Sequence, residues 1–248
     1  MAEQTLAEKR RAIRPLLDEQ EPADAPAAYY ALYHPDERTR LVTYPGGSLQ
    51  PTGYLALSRT GIDLFRPLLT LRLPPADPEG SAALIYDALV PGTNLFIHAP
   101  APYRPLLNAF FQFESEQTLR LFRLDRRRFQ EEVNVLVVRS PTPDGLPRFI
   151  VRPTGPGSEN EIGASAAVNW QSPRFADISV YANPQYRQRG WGKSVVTALV
   201  RHLLDQGRTP LYQVEQHNHA SIALARRVGF VGTGAEKLFL EATLRPRP

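Results

Sequence analysis

The sequence predicts an α+β protein built of two halves with similar element order, and three observations carry that reading. Apolar residues recur at a two-residue period in some segments and at a helical period in others. The order strand, loop, helix, strand, helix, strand is readable over residues 39–124 and again in the second half. With 248 residues, the chain can form one large or two small domains, each burying a core. The expected division is 1–128 and 129–248, the second half carrying the functional site.

Residues 5–20 and 23–34 read as helices, broken by Pro22 and ended by His34 and Pro35. Strand-like runs follow at 39–44, 53–59 and 67–73, divided by the turn residues Pro45, Gly46 and Gly47 and by Thr60 and Gly61. Residues 74–80 form a turn-rich loop, succeeded by a helix at 81–89, a strand at 94–98, a helix at 103–111 and a strand at 116–124. In the second half, 134–140 and 146–152 read as strands around a turn at 141–145. Residues 153–160, rich in Gly, Pro and Ser, read as a loop. Residues 161–170 and 175–182 form an expected antiparallel hairpin, and the helical run from Trp191 precedes a strand at 211–215 and a helix at 222–228.

Composition narrows the chemistry. The chain has no cysteine, which excludes disulfides, thiol nucleophiles and Cys-based zinc sites. The amino-terminal residues are charged and lack the apolar run of a leader, and no apolar stretch is long enough to span a bilayer, so a cytoplasmic location and no membrane partner are expected. The net charge is only +4. Arginine is concentrated at Arg120, Arg123, Arg126, Arg127 and Arg128, with Phe122 and Phe129 interleaved. A single-strand binder can show that pattern, but the charge is not sustained elsewhere; a solvated strand end is favoured and a nucleic-acid partner is not expected.

The most informative segment is 186–196, where Arg187, Gly190 and Gly192 stand between a strand and an amphipathic helix. Glycine lets the backbone approach an anion, and a first helical turn offers amide N–H groups with no partner inside the helix. With the positive end of the helix dipole and Arg187, Arg189 and Lys193, this makes a site for pyrophosphate. Gly192, Lys193 and Ser194 imitate the end of a phosphate loop of the Walker type, but the opening glycine would have to stand at Arg187. A dinucleotide fingerprint needs a third glycine, and position 195 is Val.

The spacing of Arg187, Gly190 and Gly192 resembles the signature of the GNAT superfamily of acetyl-CoA-dependent N-acetyltransferases. The resemblance continues through the strand at 211–215, Asn218, the helix at 222–228 and the pair Gly229 and Phe230. It implies a mixed, mostly antiparallel sheet flanked by helices; the shared element order makes residues 1–128 either a degenerate GNAT-like half or an unrelated α+β domain with the same order of elements. The loop 74–80 has one glycine and two acidic residues, Asp77 and Glu79, and should repel a pyrophosphate. The implied activity is acetyl transfer from acetyl-CoA to an amine, with acetyl-CoA as cosubstrate and no metal.

By resemblance, the backbone of Val180, Tyr181 and Ala182 pairs with the pantetheine arm. Gln188, Arg189, Gly190, Trp191, Gly192, Lys193 and Ser194 wrap the pyrophosphate, and Asn218 and Ser221 hydrogen-bond the cofactor. Asn218 also suits a helix N-cap, and Trp191 can pack beneath the loop or stack on adenine.

The chain departs from the family where a Tyr acid and a Glu base are usual, since these positions hold Ala225 and Gln213. An alkylamine is mostly protonated at neutral pH, so a base is still required. Glu215 is the first choice for a base, although a surface carboxylate paired with Arg226 or Arg227 is the commoner use of such a position. His217 or His219 can relay protons, Ser221 can bond the thiol, and Glu161, Asp177, Tyr181 and Tyr186 are nearby candidates. The alternative reading is a non-catalytic CoA-binding or regulatory GNAT-like module.

Overall fold

The computed structural model describes residues 4–154 and 161–247. It divides into two compact units: Met1–Leu119 with Ala235–Pro248, and Arg120–Gly234. The expected cut near 128 runs through neither boundary, because the end of the chain completes the first unit and Arg120–Leu124 belongs to the second.

The first unit opens with α1 (Leu6–Ile13), whose Thr5 and Glu8 form a reciprocal capping box. α2 (Ala25–Ala28) continues into a π-helical turn, Tyr29–Tyr33. Strands β1 (Thr39–Tyr44), β2 (Gly53–Ser58) and β3 (Leu68–Arg72) pair antiparallel in sequence. Helix α3 (Pro78–Ala88) then carries the chain over to β4 (Asn94–Pro100), which runs parallel to β3, as such a crossover requires. Helix α4 (Arg104–Phe110) leads into β5 (Phe111–Leu124).

The second unit contains β6 (Val138–Arg139), β7 (Arg148–Val151), β8 (Ala164–Gln171) and β9 (Phe175–Ala182), all antiparallel neighbours. Helix α5 (Trp191–Asp205) crosses to β10 (Thr209–Glu215), parallel to β9. Helix α6 (His219–Val228) follows, and the chain closes with β11 (Phe230–Leu244).

The two units share one strand plan. β1-β2-β3-β4 in the first corresponds to β7-β8-β9-β10 in the second, and each series has one parallel pair joined by a crossover helix. The next place is taken by the far end of the sequence in each case. Ala235–Leu244 of β11 pairs antiparallel with β4, and Arg120–Leu124 of β5 lies beside β10. In each unit the ladder of the parallel pair is short. It ends at Thr70 and His98 in one and at Ile178 and Tyr212 in the other, so the strands beyond are unpaired on that side.

Alternation builds the cores. Leu55, Leu69, Leu71, Ile97, Ala99, Leu238 and Leu240 face α3 and α4, whereas Leu41, Tyr54 and Ala56 face Ile13, Leu17 and Leu32 on the other side. In the second unit Ala176, Ile178, Tyr212 and Val214 pack under Val195, Val196, Leu199 and Val200 of α5 and Ile222 and Val228 of α6.

Several expected elements differ. The helix expected at 5–20 stops at Ile13 and tightens at Arg14–Leu16, where Pro15 cannot extend the helical ladder. Only Val138 and Arg139 of the strand expected at 134–140 are extended in a ladder, because 130–137 is drawn onto α5 by side-chain contacts described below. β5 starts at Phe111, five residues before the expected 116. β11 corresponds to no expected element, since Gly232 and Gly234 mask its alternating pattern. The loop at 153–160 lies outside the described residues except for Pro153 and Thr154.

Candidate active site

The site is built where β9 and β10 part. β9 is paired along its whole length with β8, but its ladder to β10 stops at Ile178, leaving Val180, Tyr181 and Ala182 facing the opening. Their backbone groups on that edge have no strand partner, which is what an extended ligand needs for strand-like hydrogen bonding.

Asn183 turns the chain by accepting from the Gln185 N–H at 3.0 Å, and a single 3-10 turn, Pro184–Tyr186, sets up the loop. Gln188 (φ 63°) and Gly190 (φ 76°) both adopt the left-handed conformation. Alternating handedness of this kind turns successive N–H groups to one side and makes an anion-binding concavity. Gly190 is the N-cap of α5 and has no side chain to cap it, so the first-turn N–H groups of Trp191, Gly192 and Lys193 are offered outward. No acidic residue stands in that turn. A Cβ on Gly192 would meet Leu224 at an ordinary 3.6 Å, so the absence of a side chain there is not demanded by packing.

Trp191 lies beneath the loop. Its ring abuts Gly163, where a Cβ would come within 2.3 Å, and stacks on Tyr186 with centroids 5.2 Å apart. The Arg189 guanidinium lies 5.4 Å from the Tyr186 ring centre and 5.5 Å from that of Trp191. Tyr186 in turn donates to Glu161 at 2.8 Å. These contacts fix the loop from below, and Arg187 is exposed beside it.

Two residues absent from the sequence-based site reach the loop from 130–137. Glu132 pairs with Lys193, which holds its carboxyl below the usual range, and Asn134 accepts from the Ser194 hydroxyl at 3.0 Å. Ser194 is fully buried, and its hydroxyl also reaches the Gly190 carbonyl at 3.4 Å. Nothing in the local pattern of 130–137 signals this placement, which only the fold brings about.

On the α6 side, Asn218 accepts from the Ser221 N–H at 3.1 Å and so caps the helix. The Ser221 hydroxyl lies 2.6 Å from that of Tyr212, whose proton is held more tightly because of burial, an effect the Ser221 hydrogen bond opposes. Glu215 ends β10 and accepts from the His217 N–H at 2.9 Å, tying it to its own turn. His217 is exposed beside Gln216, and His219 is exposed as the first residue of α6. Neither histidine contacts Ser221 or Glu215 through a side-chain hydrogen bond among the described residues.

The opposite face of the sheet holds a more perturbed group. Asp177 is buried one residue before the opening, and burial pushes its carboxyl up to about 6. Hydrogen bonds from Asn169 at 2.8 Å and Gln213 at 3.2 Å work against that rise. Ser179, exposed, donates to the Asn169 amide oxygen at 2.8 Å, so a polar chain runs from the surface to Asp177. A signal existed in the sequence, since Asp177 is the only acidic residue of an otherwise apolar strand start. Only the register assigns its face.

Among the described residues no cluster of three His, Asp or Glu side chains could hold a metal ion, and no helix is long and apolar enough to cross a membrane.

Residues 148–230 match the acetyltransferase (GNAT) family. No curated protein sequence matches the chain. Among solved structures, the chain is similar to a tandem GNAT protein from the clavulanic acid biosynthesis pathway, with a TM-score of 0.61 at 13% identity over 98% of this chain and 95% of that one. It is also similar to a GCN5-related N-acetyltransferase-like protein from Streptococcus suis, with a TM-score of 0.59 at 15% identity over 94% of this chain and 98% of that one. A GCN5-related N-acetyltransferase from Sphaerobacter thermophilus gives 0.59 at 9% identity, over 99% and 96% of the two chains. At such identities the likeness is one of fold. The short parallel ladder, the outward-facing first turn of α5 and the match over 148–230 lead to one conclusion: the chain has the fold of the GNAT structures it resembles, in two halves, and its residues 148–230 match the acetyltransferase (GNAT) family.

Proposed function

We propose that the chain is an N-acetyltransferase that moves an acetyl group from acetyl-CoA to an amine, with its second unit holding the cosubstrate. The single observation that carries this is the uncapped, acid-free first turn of α5 beside an opened strand edge. In this reading the N–H groups of Trp191, Gly192 and Lys193 hold the pyrophosphate, with Gln188, Arg187 and Arg189 around it. The backbone of Val180, Tyr181 and Ala182 lines the pantetheine arm. Ser194 and Trp191 shape the loop from within, and Asn218 with Ser221 orders the start of α6 beside the thioester.

Transfer needs the amine free of its proton when its lone pair attacks the thioester carbonyl; the C–S bond then breaks and the thiolate takes up a proton. Asp177 is the group best matched to the first task, because a carboxyl near pKa 6 is ionised at neutral pH yet basic enough to accept a proton. It is bonded directly by Gln213 and Asn169, and Asn169 links it to the exposed Ser179. Glu215 remains the half-buried alternative at the end of β10. The Tyr212 and Ser221 hydroxyl pair stands one helical turn before Ala225 and can hydrogen-bond the departing sulfur.

The observation favouring a binding-only module is that the usual acid and base positions hold Ala225 and Gln213. Calorimetric titration with acetyl-CoA, followed by an amine panel, separates the readings. We expect binding tighter than about 100 µM and release of CoA with at least one primary amine. No binding below about 1 mM removes the cofactor assignment; binding without turnover on a broad panel favours the module.

A further inference from the structure

The first unit carries a buried polar patch for which acetyl transfer has no use. In the register of β2 with β3, Tyr54 stands opposite Arg72. Thr70 stands beside His98 across β3 and β4, and Lys237 stands opposite Pro100 across β11 and β4. The intervening residues Leu55, Leu69, Leu71, Ile97, Ala99 and Leu238 face α3 and α4. Alternation therefore puts Tyr54, Thr70, Arg72, His98 and Lys237 together on the other face, across four adjacent strands. They surround the point where the β3–β4 ladder ends.

Two features of this patch are costly without an occupant, and a cation stands beside them. The hydroxyls of Tyr54 and Thr70 are buried with no hydrogen-bond partner, and both residues are 0% exposed. Lys237 is 5% exposed on the same face. Each unpartnered buried hydroxyl costs about 1–3 kcal/mol. Arg72 does not share this problem, because Asp24 holds it at 2.7 Å. Burial pulls the Lys237 ammonium below the usual lysine range; Asp24 opposes this, Arg72 adds to it and Glu21 opposes it. One largely buried cation with two idle hydroxyl donors on the same face suits a single negative charge spread over two oxygens.

We infer that this patch binds the carboxylate of a small molecule, with the Lys237 ammonium as its counter-charge and the Tyr54 and Thr70 hydroxyls donating to its oxygens. A doubly charged phosphate is disfavoured, because Asp24 and Glu21 would face its second charge. The site lies wholly on residues of the first unit and does not rest on acetyl-CoA binding to the second.

The test is calorimetric titration of the full chain with sodium acetate and sodium glycolate at constant ionic strength. The expected result is saturable binding of one of them with a Kd below about 5 mM. Lys237→Met should weaken it at least about tenfold and Tyr54→Phe about threefold or more. Lys193→Ala in the second unit should leave it unchanged. A wild-type response that stays linear to about 20 mM overturns the proposal. So does saturable binding that both first-unit variants retain, or that Lys193→Ala abolishes. Should Lys237→Met fail to fold, Tyr54→Phe, which removes only one oxygen, decides the question alone.

Discussion

The two crossover helices begin in opposite ways, although each follows a strand of the same rank and leads to a parallel partner. α3 is capped by Asp77, whose carboxylate accepts from the Gly80 N–H at 2.8 Å, and Glu79 adds a second acid to the first turn. α5 starts on left-handed Gly190, with no side-chain cap and no acid. One helix start is satisfied internally and repels an anion; the other leaves its donors open and attracts one. Shared architecture thus sets where each helix start lies, while a few local residues decide whether its donors are open.

The largest expected effect sharpens that contrast. Gly192→Trp should weaken acetyl-CoA binding at least about a hundredfold with folding retained, because a side chain then fills the space in front of the open amides. Gly80→Ala in the first unit should do the reverse. Its Cβ would fall 2.2 Å from the Asp77 carboxylate and 2.5 Å from the Tyr44 ring, so stability should drop while acetyl-CoA affinity is unmoved. Equal losses of affinity in the two variants, measured by calorimetry, would break the comparison.

Next in size is the loss expected at Asp177. Asp177→Asn should lower kcat about 10²- to 10⁴-fold with little change in acetyl-CoA affinity, and wild-type kcat/KM should fall as pH drops through about 6. If Asp177→Asn retains full turnover while Glu215→Gln abolishes it, the base lies at the end of β10 instead.

The two units should also respond to acid in opposite senses. Asp177 has a folded-state pKa raised from 3.8 to about 6, so it favours the fold fully below 3.8 and that contribution is lost as pH rises through about 6. Asp177→Asn should accordingly stabilise the protein at pH 7 by roughly 2–3 kcal/mol. His34 is lowered from 6.5 to about 4, chiefly by burial, with Arg38 and Arg10 adding to it. Its contribution is present above 6.5 and is lost as pH falls through about 4. Denaturant unfolding at pH 7.5 and 5 should show His34→Gln reducing the acid loss and Asp177→Asn removing a gain.

The smallest effect concerns Asn218. Removing its cap on Ser221 by Asn218→Ala should cost about 1 kcal/mol in unfolding free energy and weaken acetyl-CoA less than about tenfold. A large affinity loss without a stability change would mean that Asn218 acts on the ligand rather than on the helix.

By itself, the sequence determined the local elements and the open loop. Thr39–Tyr44 and Phe175–Ala182 were readable to the residue, and Gly190 and Gly192 marked the loop that starts α5 without a side-chain cap, because strand alternation and glycine freedom are local properties. Only the tertiary structure decided what meets across elements. It brought Glu132 and Asn134 onto α5, aimed Asp177 away from the helices among Asn169 and Gln213, and set Lys237 beside Arg72 from opposite ends of the chain. It also exchanged the last strands, giving Ala235–Leu244 of β11 to the first unit and Arg120–Leu124 of β5 to the second. Those outcomes depend on strand register and on contacts between residues far apart in the chain, where a one-residue shift reverses every face and no local pattern carries the information.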